Sequence, residues 1–117
     1  MDATQKMPTV SVVIPTMNEA KNLPHVLPRL PDIVTEVVLV DGGSKDNTVE
    51  VAREVRPDIR IIRQTGKGKG NALTEGFEAT TGDIIVAMDA DNSNDPQEIL
   101  LFVDALMNDA DFAKGSH

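Results

Sequence analysis

A chain of 117 residues and 12.6 kDa holds one domain and leaves no room for a separate catalytic domain beside a binding domain. Its 40% hydrophobic and 26% charged residues describe a soluble globular chain with a modest core, while three Phe and no Trp or Tyr oppose recognition by stacked aromatic rings. A formal charge of -8 opposes contact with a nucleic-acid backbone, and zero Cys removes disulfides, thiolate catalysis and cysteine-held metals and fits a reducing compartment. His25 and His117 stand too far apart in sequence to suggest paired metal ligands. No apolar run reaches the roughly 20 residues of a spanning helix. The start MDATQKMP is not a signal peptide, so a cytoplasmic chain is expected, with any membrane association peripheral.

In chain order, the apolar run Val10 to Ile14 predicts a strand that ends in the polar segment Pro15-Thr16-Met17-Asn18-Glu19. Leu23, Val26, Leu27 and Leu30 follow at helical spacing, but Pro24 and Pro28 remove backbone donors and predict a shortened or kinked helix. A second strand over Val37 to Val40 ends in Asp41-Gly42-Gly43-Ser44-Lys45-Asp46. Asn47 as N-cap, with Glu50 three residues later, predicts a helix carrying Val49, Ala52 and Val55. The third strand, Ile59 to Ile62, alternates with Arg60 and Arg63, as an edge strand does. Thr65 to Asn71 is a basic, glycine-rich loop that opens a further helix. Ile84 to Met88 predicts a fourth strand; the first, second and fourth are nearly continuous Val, Ile and Leu, as expected of strands covered on both faces. Asp95 as N-cap, Pro96 at the first helical position and Glu98 start a last helix that turns Ile99, Phe102, Val103 and Leu106 toward the sheet. Asp111 to Ser116 predicts the opening of a fifth strand, so residues 1–117 read as a single α/β domain ending where that strand begins.

Strand and helix alternating in this way imply a Rossmann-like parallel sheet with right-handed crossovers, strand order 3-2-1-4 and helices on both faces. Ligands bind such a sheet at the carboxyl ends of its strands where the order reverses, which draws Pro15 to Glu19, Asp41 to Asp46 and Asp89 to Asp91 around one crevice.

Each segment has a chemical reading and a plainer one. Asp89-Ala90-Asp91 sets two carboxylates on alternate residues of a strand end, where both can face one Mg²⁺ or Mn²⁺ that keeps open positions for phosphate oxygens; a turn-forming acidic pair fits the same residues. Thr16 or Asn18 fits a helix N-cap, with Glu19 favourable at the positive helix end, a role that coexists with ligand binding. Asp41 followed by glycines permits close approach of a nucleoside, or simply a tight strand-to-helix turn. Arg60, Arg63, Lys67 and Lys69 make a local basic patch suited to phosphate, against a solvated surface loop. Neither the G-x-G-x-x-G fingerprint nor the G-x-x-x-x-G-K-[ST] phosphate loop occurs.

Together and in this order, P-T-M-N-E, V-D-G-G-S-K-D-N-T, G-K-G-K-G-N-A and D-A-D resemble the nucleotide-sugar half of family 2 glycosyltransferases with a GT-A fold, in particular the dolichol-phosphate-mannose-synthase-like subgroup, from Thr9 to Ser116. The resemblance implies a nucleotide-sugar site of Pro15, Thr16, Asn18, Glu19, Asp41, Gly43, Ser44, Lys67, Gly70, Asn71, Asp89, Ala90 and Asp91. Within it Asp41 would meet the base, Lys67, Gly70 and Asn71 would close over the nucleoside, and Asp89 and Asp91 would hold Mg²⁺ or Mn²⁺. Where the family often has a second acid at the second strand tip, this chain has Gly42. The implied reaction is transfer of a hexose from a UDP- or GDP-sugar to an acceptor hydroxyl or a polyprenyl phosphate, with the catalytic base expected beyond residue 117. Two other readings stand beside it: a non-enzymatic α/β module that self-associates as a homo-oligomer through an open sheet edge or binds a protein partner, and a receiver-like domain, which would need acids where this chain has Pro15 and Thr16.

Overall fold

The structure, a computed structural model, describes residues 8–91 and 95–106. Strands β1 (Val10–Thr16), β2 (Val34–Asp41), β3 (Arg60–Arg63) and β4 (Ile84–Ala87) form a four-stranded parallel sheet in the order β3-β2-β1-β4. Between them run α1 (Leu23–Val26) with a 3-10 turn at Leu27–Arg29, α2 (Thr48–Val55) and α3 (Lys69–Ala79), and a further helix, α4, covers residues 98–106. The predicted α/β architecture and strand order are those observed. The predicted fifth strand lies outside the described residues.

Period-two alternation sends the side chains of β1 to two cores. Val10, Val12 and Ile14 join Leu23, Val26, Ala52, Ile99 and Val103 under α1, α2 and α4, while Val13 joins Val38, Val40 and Ala72 under α3. Gly76 sets the height of α3: a Cβ there would stand 2.3 Å from Val13 Cγ1 and 3.1 Å from Val40 Cγ2, so the helix rests its backbone on the sheet.

A polar network ties the amino ends of the strands together. The fully buried Ser11 donates its hydroxyl to Glu36 Oε1 at 2.6 Å, Thr81 N donates to the same oxygen at 2.9 Å, and Arg60 Nη1 lies 3.1 Å from Glu36 Oε2. Burial pushes the Glu36 carboxyl up, but the hydrogen bonds from Ser11, Thr81 and Arg60, with the Arg60 charge, outweigh it and hold it below the usual carboxylate range.

Pro24 and Pro28 shorten the first helix as expected, to four α-helical residues followed by a three-residue 3-10 turn. Three local expectations are corrected. Asn47 occupies the N-cap of α2 without a side-chain cap bond; Asp46 Oδ1, one residue earlier, accepts from Thr48 N at 3.0 Å instead. β4 is not covered on both faces, because among the described residues it borders the sheet, and Ile85 is 40% exposed. Phe102 is 47% exposed while Ile99 and Val103 are buried, so the apolar stripe of α4 is wider than the sheet beneath it. The last helix starts at residue 98, after Pro96 and Gln97 form a turn; within that turn Asp95 Oδ1 accepts from Gln97 N at 3.0 Å, and it also binds Arg29 Nη2 at 2.8 Å, tying the turn to the 3-10 turn after α1.

Candidate functional site

The polar segments predicted to converge do so at the carboxyl ends of the strands, beside the reversal of order between β1 and β4. A cavity of about 300 Å³ opens there, walled by Pro15, Thr16, Met17 and Glu19 from the end of β1, Gly42 and Gln64 beyond β2 and β3, Gly68, Lys69 and Ala72 of the loop and first turns of α3, and Asp89 beyond β4. Pockets for small ligands run from about 300 to 1,000 Å³.

Hydrogen bonds lace the tips of β1 and β2. Asp41 Oδ1 accepts from Thr16 Oγ1 at 3.1 Å and Ser44 Oγ at 2.5 Å; Oδ2 accepts from Gly43 N at 3.1 Å and Ser44 N at 2.9 Å. These bonds fill the roughly four acceptor positions of a carboxylate. Burial raises the Asp41 carboxyl, and the bonds from Ser44, Gly43 and Thr16 more than reverse that, leaving it below the usual range. Asn18 adopts left-handed backbone at φ 59°, donates its N–H to Ser44 Oγ at 2.8 Å and accepts from Lys45 N at 2.8 Å through Oδ1. Glu19 N donates to Thr48 Oγ1 at 2.9 Å. Asn18 thus joins the two loops and does not cap α1, whose N-cap is Asn22.

The opposite wall is built differently. Gly68 stands at the N-cap of α3 with φ 86°, and Gln64 Nε2 crosses to Gly68 O and Asn71 Oδ1, each at 2.9 Å. Lys69 Nζ forms an ion pair with Asp89 Oδ1, with side chains 61% and 37% exposed. The bonded Asp89 carboxylate, with Asp91 adding its charge, holds the Lys69 ammonium above the ordinary lysine range. Beyond β4, Met88 and Ala90 are buried in the core while Asp89 is half-buried and Asp91 exposed, so neither carboxylate enters the core.

Of the residues proposed from sequence, Pro15, Thr16, Glu19 and Asp89 line the cavity. Asp41, Gly43 and Ser44 border a second, more polar cavity of about 550 Å³ that reaches Arg53 and Arg63 on the α2 side. Lys67, Gly70, Asn71 and Asp91 line neither cavity, and Ala90 is core. Met17 also lines the cavity, within the Pro15 to Glu19 segment drawn there from sequence, as do Lys69, read from sequence only as part of the basic patch suited to phosphate, and Gln64, which the sequence reading did not place there. Lys69 had a signal, as a cation between two glycines at the mouth of a helix; Gln64 had none beyond following a strand.

The donor chemistry fits a hard divalent cation. Asp89 already holds the Lys69 ammonium, the Asp91 charge acts on the same ammonium, and oxygen ligands suit Mg²⁺ or Mn²⁺. Among the described residues no three or more His, Cys, Asp or Glu gather as a metal cage, so the protein would supply few ligands and a substrate the rest.

The family model described as Glycosyl transferase family 2 matches residues 11–117. The chain is 39% identical over 114 residues to a dolichol-phosphate mannosyltransferase of Pyrococcus furiosus, covering 92% of this chain and 32% of that protein. It is 38% identical over 110 residues to an undecaprenyl-phosphate 4-deoxy-4-formamido-L-arabinose transferase of Shewanella sediminis, with 85% and 33% covered. Among solved structures, glucosyl-3-phosphoglycerate synthase from Mycobacterium tuberculosis, in complex with Mn²⁺, uridine diphosphate and glucosyl-3-phosphoglycerate, superposes with a TM-score of 0.61 at 30% identity over 71% of this chain and 33% of that one. The chain therefore spans about a third of the length of these relatives.

Proposed function

This chain belongs to glycosyltransferase family 2, and from that premise we propose that residues 1–117 form the donor-binding unit of a transferase that moves a hexose from a UDP- or GDP-sugar to an acceptor hydroxyl or a polyprenyl phosphate. The observation that carries this reading is the crevice itself, which brings the end of β1, the start of α3 and the acid beyond β4 around one cavity at the switch point of the sheet. The polyprenyl-phosphate acceptors named for the two curated relatives support a lipid-linked acceptor, and the Mn²⁺ and uridine diphosphate of the solved relative support a nucleotide with a divalent cation.

Each wall has its own task. Thr16 and Pro15 end β1 as a floor, and the laced loops from Asn18 to Thr48 hold that floor in place before a ligand arrives. Gln64 pins the loop before α3, so that Lys69 and the first amides of the helix open toward the diphosphate. Asp89 and Asp91 are the residues that would hold Mg²⁺ or Mn²⁺, which when bound supplies positive charge against the leaving diphosphate.

Calorimetric titration of UDP and GDP, with and without Mn²⁺, tests the reading. Metal-dependent binding of one nucleotide is expected, weakened at least about tenfold in Asp91→Ala, since a direct carboxylate ligand to a cation is lost. Failure of both nucleotides to bind with Mn²⁺ present would overturn it.

A further inference from the structure

We propose that Lys69 is a built-in placeholder for the divalent cation: in the ligand-free protein its ammonium occupies the Asp89 carboxylate, and cation and nucleotide together displace it onto the diphosphate. The inference rests on the donor-site reading above and adds to it a coupling device made from this chain's own residues.

The Lys69 to Asp89 pair bridges two elements, the first residue of α3 and the segment beyond β4. Both partners line the same cavity, so the bridge crosses the place the ligand would fill. Two carboxylates two residues apart repel each other, and the ammonium, on which both charges act, relieves that repulsion as a bound cation would. The pair is also easy to exchange. Both side chains are solvent-accessible, and an exposed ion pair is weak and screened by salt.

The surrounding backbone permits the movement. Lys69 sits between Gly68 and Gly70, where an added Cβ would meet nothing within 4 Å, so the side chain has open space around its stem. Lysine carries a compact charge on a flexible four-carbon stem and can turn from a carboxylate to a phosphate without moving the helix.

Exchange of this kind makes the two ligands help each other. A divalent cation on Asp89 and Asp91 releases the ammonium to the diphosphate, and a diphosphate that draws the ammonium away exposes Asp89 to the cation. Linkage requires the two effects to be equal. Removing the lysine charge should therefore tighten binding of the cation alone while loosening its coupling to the nucleotide.

The test uses the full chain, wild type against Lys69→Met, with Mn²⁺ binding measured by electron paramagnetic resonance without nucleotide and then with saturating UDP or GDP, whichever the wild type binds. Loss of one positive charge beside a divalent site should tighten Mn²⁺ alone by about five- to tenfold. The factor by which nucleotide enhances Mn²⁺ binding should shrink. Circular dichroism melting checks that the variant is folded, and should it not be, the ¹⁵N signal of Lys69 Nζ in the wild type gives a second readout, expected to shift on addition of Mg²⁺ and nucleotide. Unchanged Mn²⁺ affinity in a folded Lys69→Met, or an Nζ signal indifferent to both ligands, would overturn the placeholder while metal-dependent nucleotide binding by the wild type leaves the donor site standing. If the wild type binds neither Mn²⁺ nor nucleotide, both proposals fall together.

Discussion

Asp41 uses both carboxylate oxygens within its own surroundings, and Ser44 supplies two of the four donors. Ser44 Oγ stands at the centre of the lacing, since it also accepts from Asn18 N. Ser44→Ala removes the bond between Asp41 and the hydroxyl and leaves the Asn18 amide without its partner. A loss of about 1–2 kcal/mol is expected from urea unfolding, together with a rise in the Asp41 pKa visible by ¹³C NMR. A variant as stable as the wild type would mean that water replaces the hydroxyl fully. The resemblance points Asp41 toward a base, and contact of that kind requires one of these four bonds to be exchanged, a condition that only coordinates could reveal. The sequence marks Asp41, Asn18 and Ser44 as polar residues at strand tips, but which of them face a cavity and which bind one another depends on φ at Asn18 and on the separation of the two loops.

At the scale of elements, periodicity was enough to find the strands and to put β3 at an edge, because continuous Val and Ile in β1 and β2 and the arginines of β3 report how each strand is covered, while the order of the sheet followed from the alternation of strand and helix. It was less informative for β4, whose apolar run resembles that of a central strand although Ile85 stands exposed. Composition does not record what covers a strand. Nor does the sequence show why α3 carries glycine at position 76, in mid-helix, where glycine costs about 1 kcal/mol relative to alanine. The answer is the 2.3 Å approach to Val13. Gly76→Val should cost about 1–3 kcal/mol through overpacking, or more if α3 cannot lift, read as a lower urea midpoint at unchanged slope. A gain in stability would show that α3 packs less closely than described.

For the whole molecule, four carboxyls, Glu36, Asp41, Asp46 and Glu75, are held below their usual range by hydrogen bonds and make stability depend on acid in the same direction, with Glu36 and Asp41 at opposite ends of the sheet. A depressed carboxyl stabilises the fold above its unfolded pKa, and that contribution disappears as pH falls through the folded value. Stability should therefore hold from neutral pH to about pH 5 and fall below about pH 4, even as protonation relieves the self-repulsion of a chain of formal charge -8. Glu36→Gln keeps an acceptor but loses the charge facing Arg60; its unfolding free energy should be lower at neutral pH and decline less steeply in acid. Parallel pH profiles for the two proteins would exclude Glu36 as a source of the dependence.

The crevice has one wall laced between the β1 and β2 loops by backbone and side-chain hydrogen bonds, and another, the loop before α3, that Gln64 and Glu75 hold only to α3 itself and that meets Asp89 across the cavity through an exposed ion pair. Such a site distributes the entropy of binding unevenly. The β1 and β2 loops have already surrendered their freedom during folding, so a ligand meeting them loses little more; whatever ordering accompanies capture falls on the segment from Gly66 to Gly70. Amide hydrogen exchange would then separate the two halves of one cavity into a slow side that ligand barely alters and a fast side that ligand quiets.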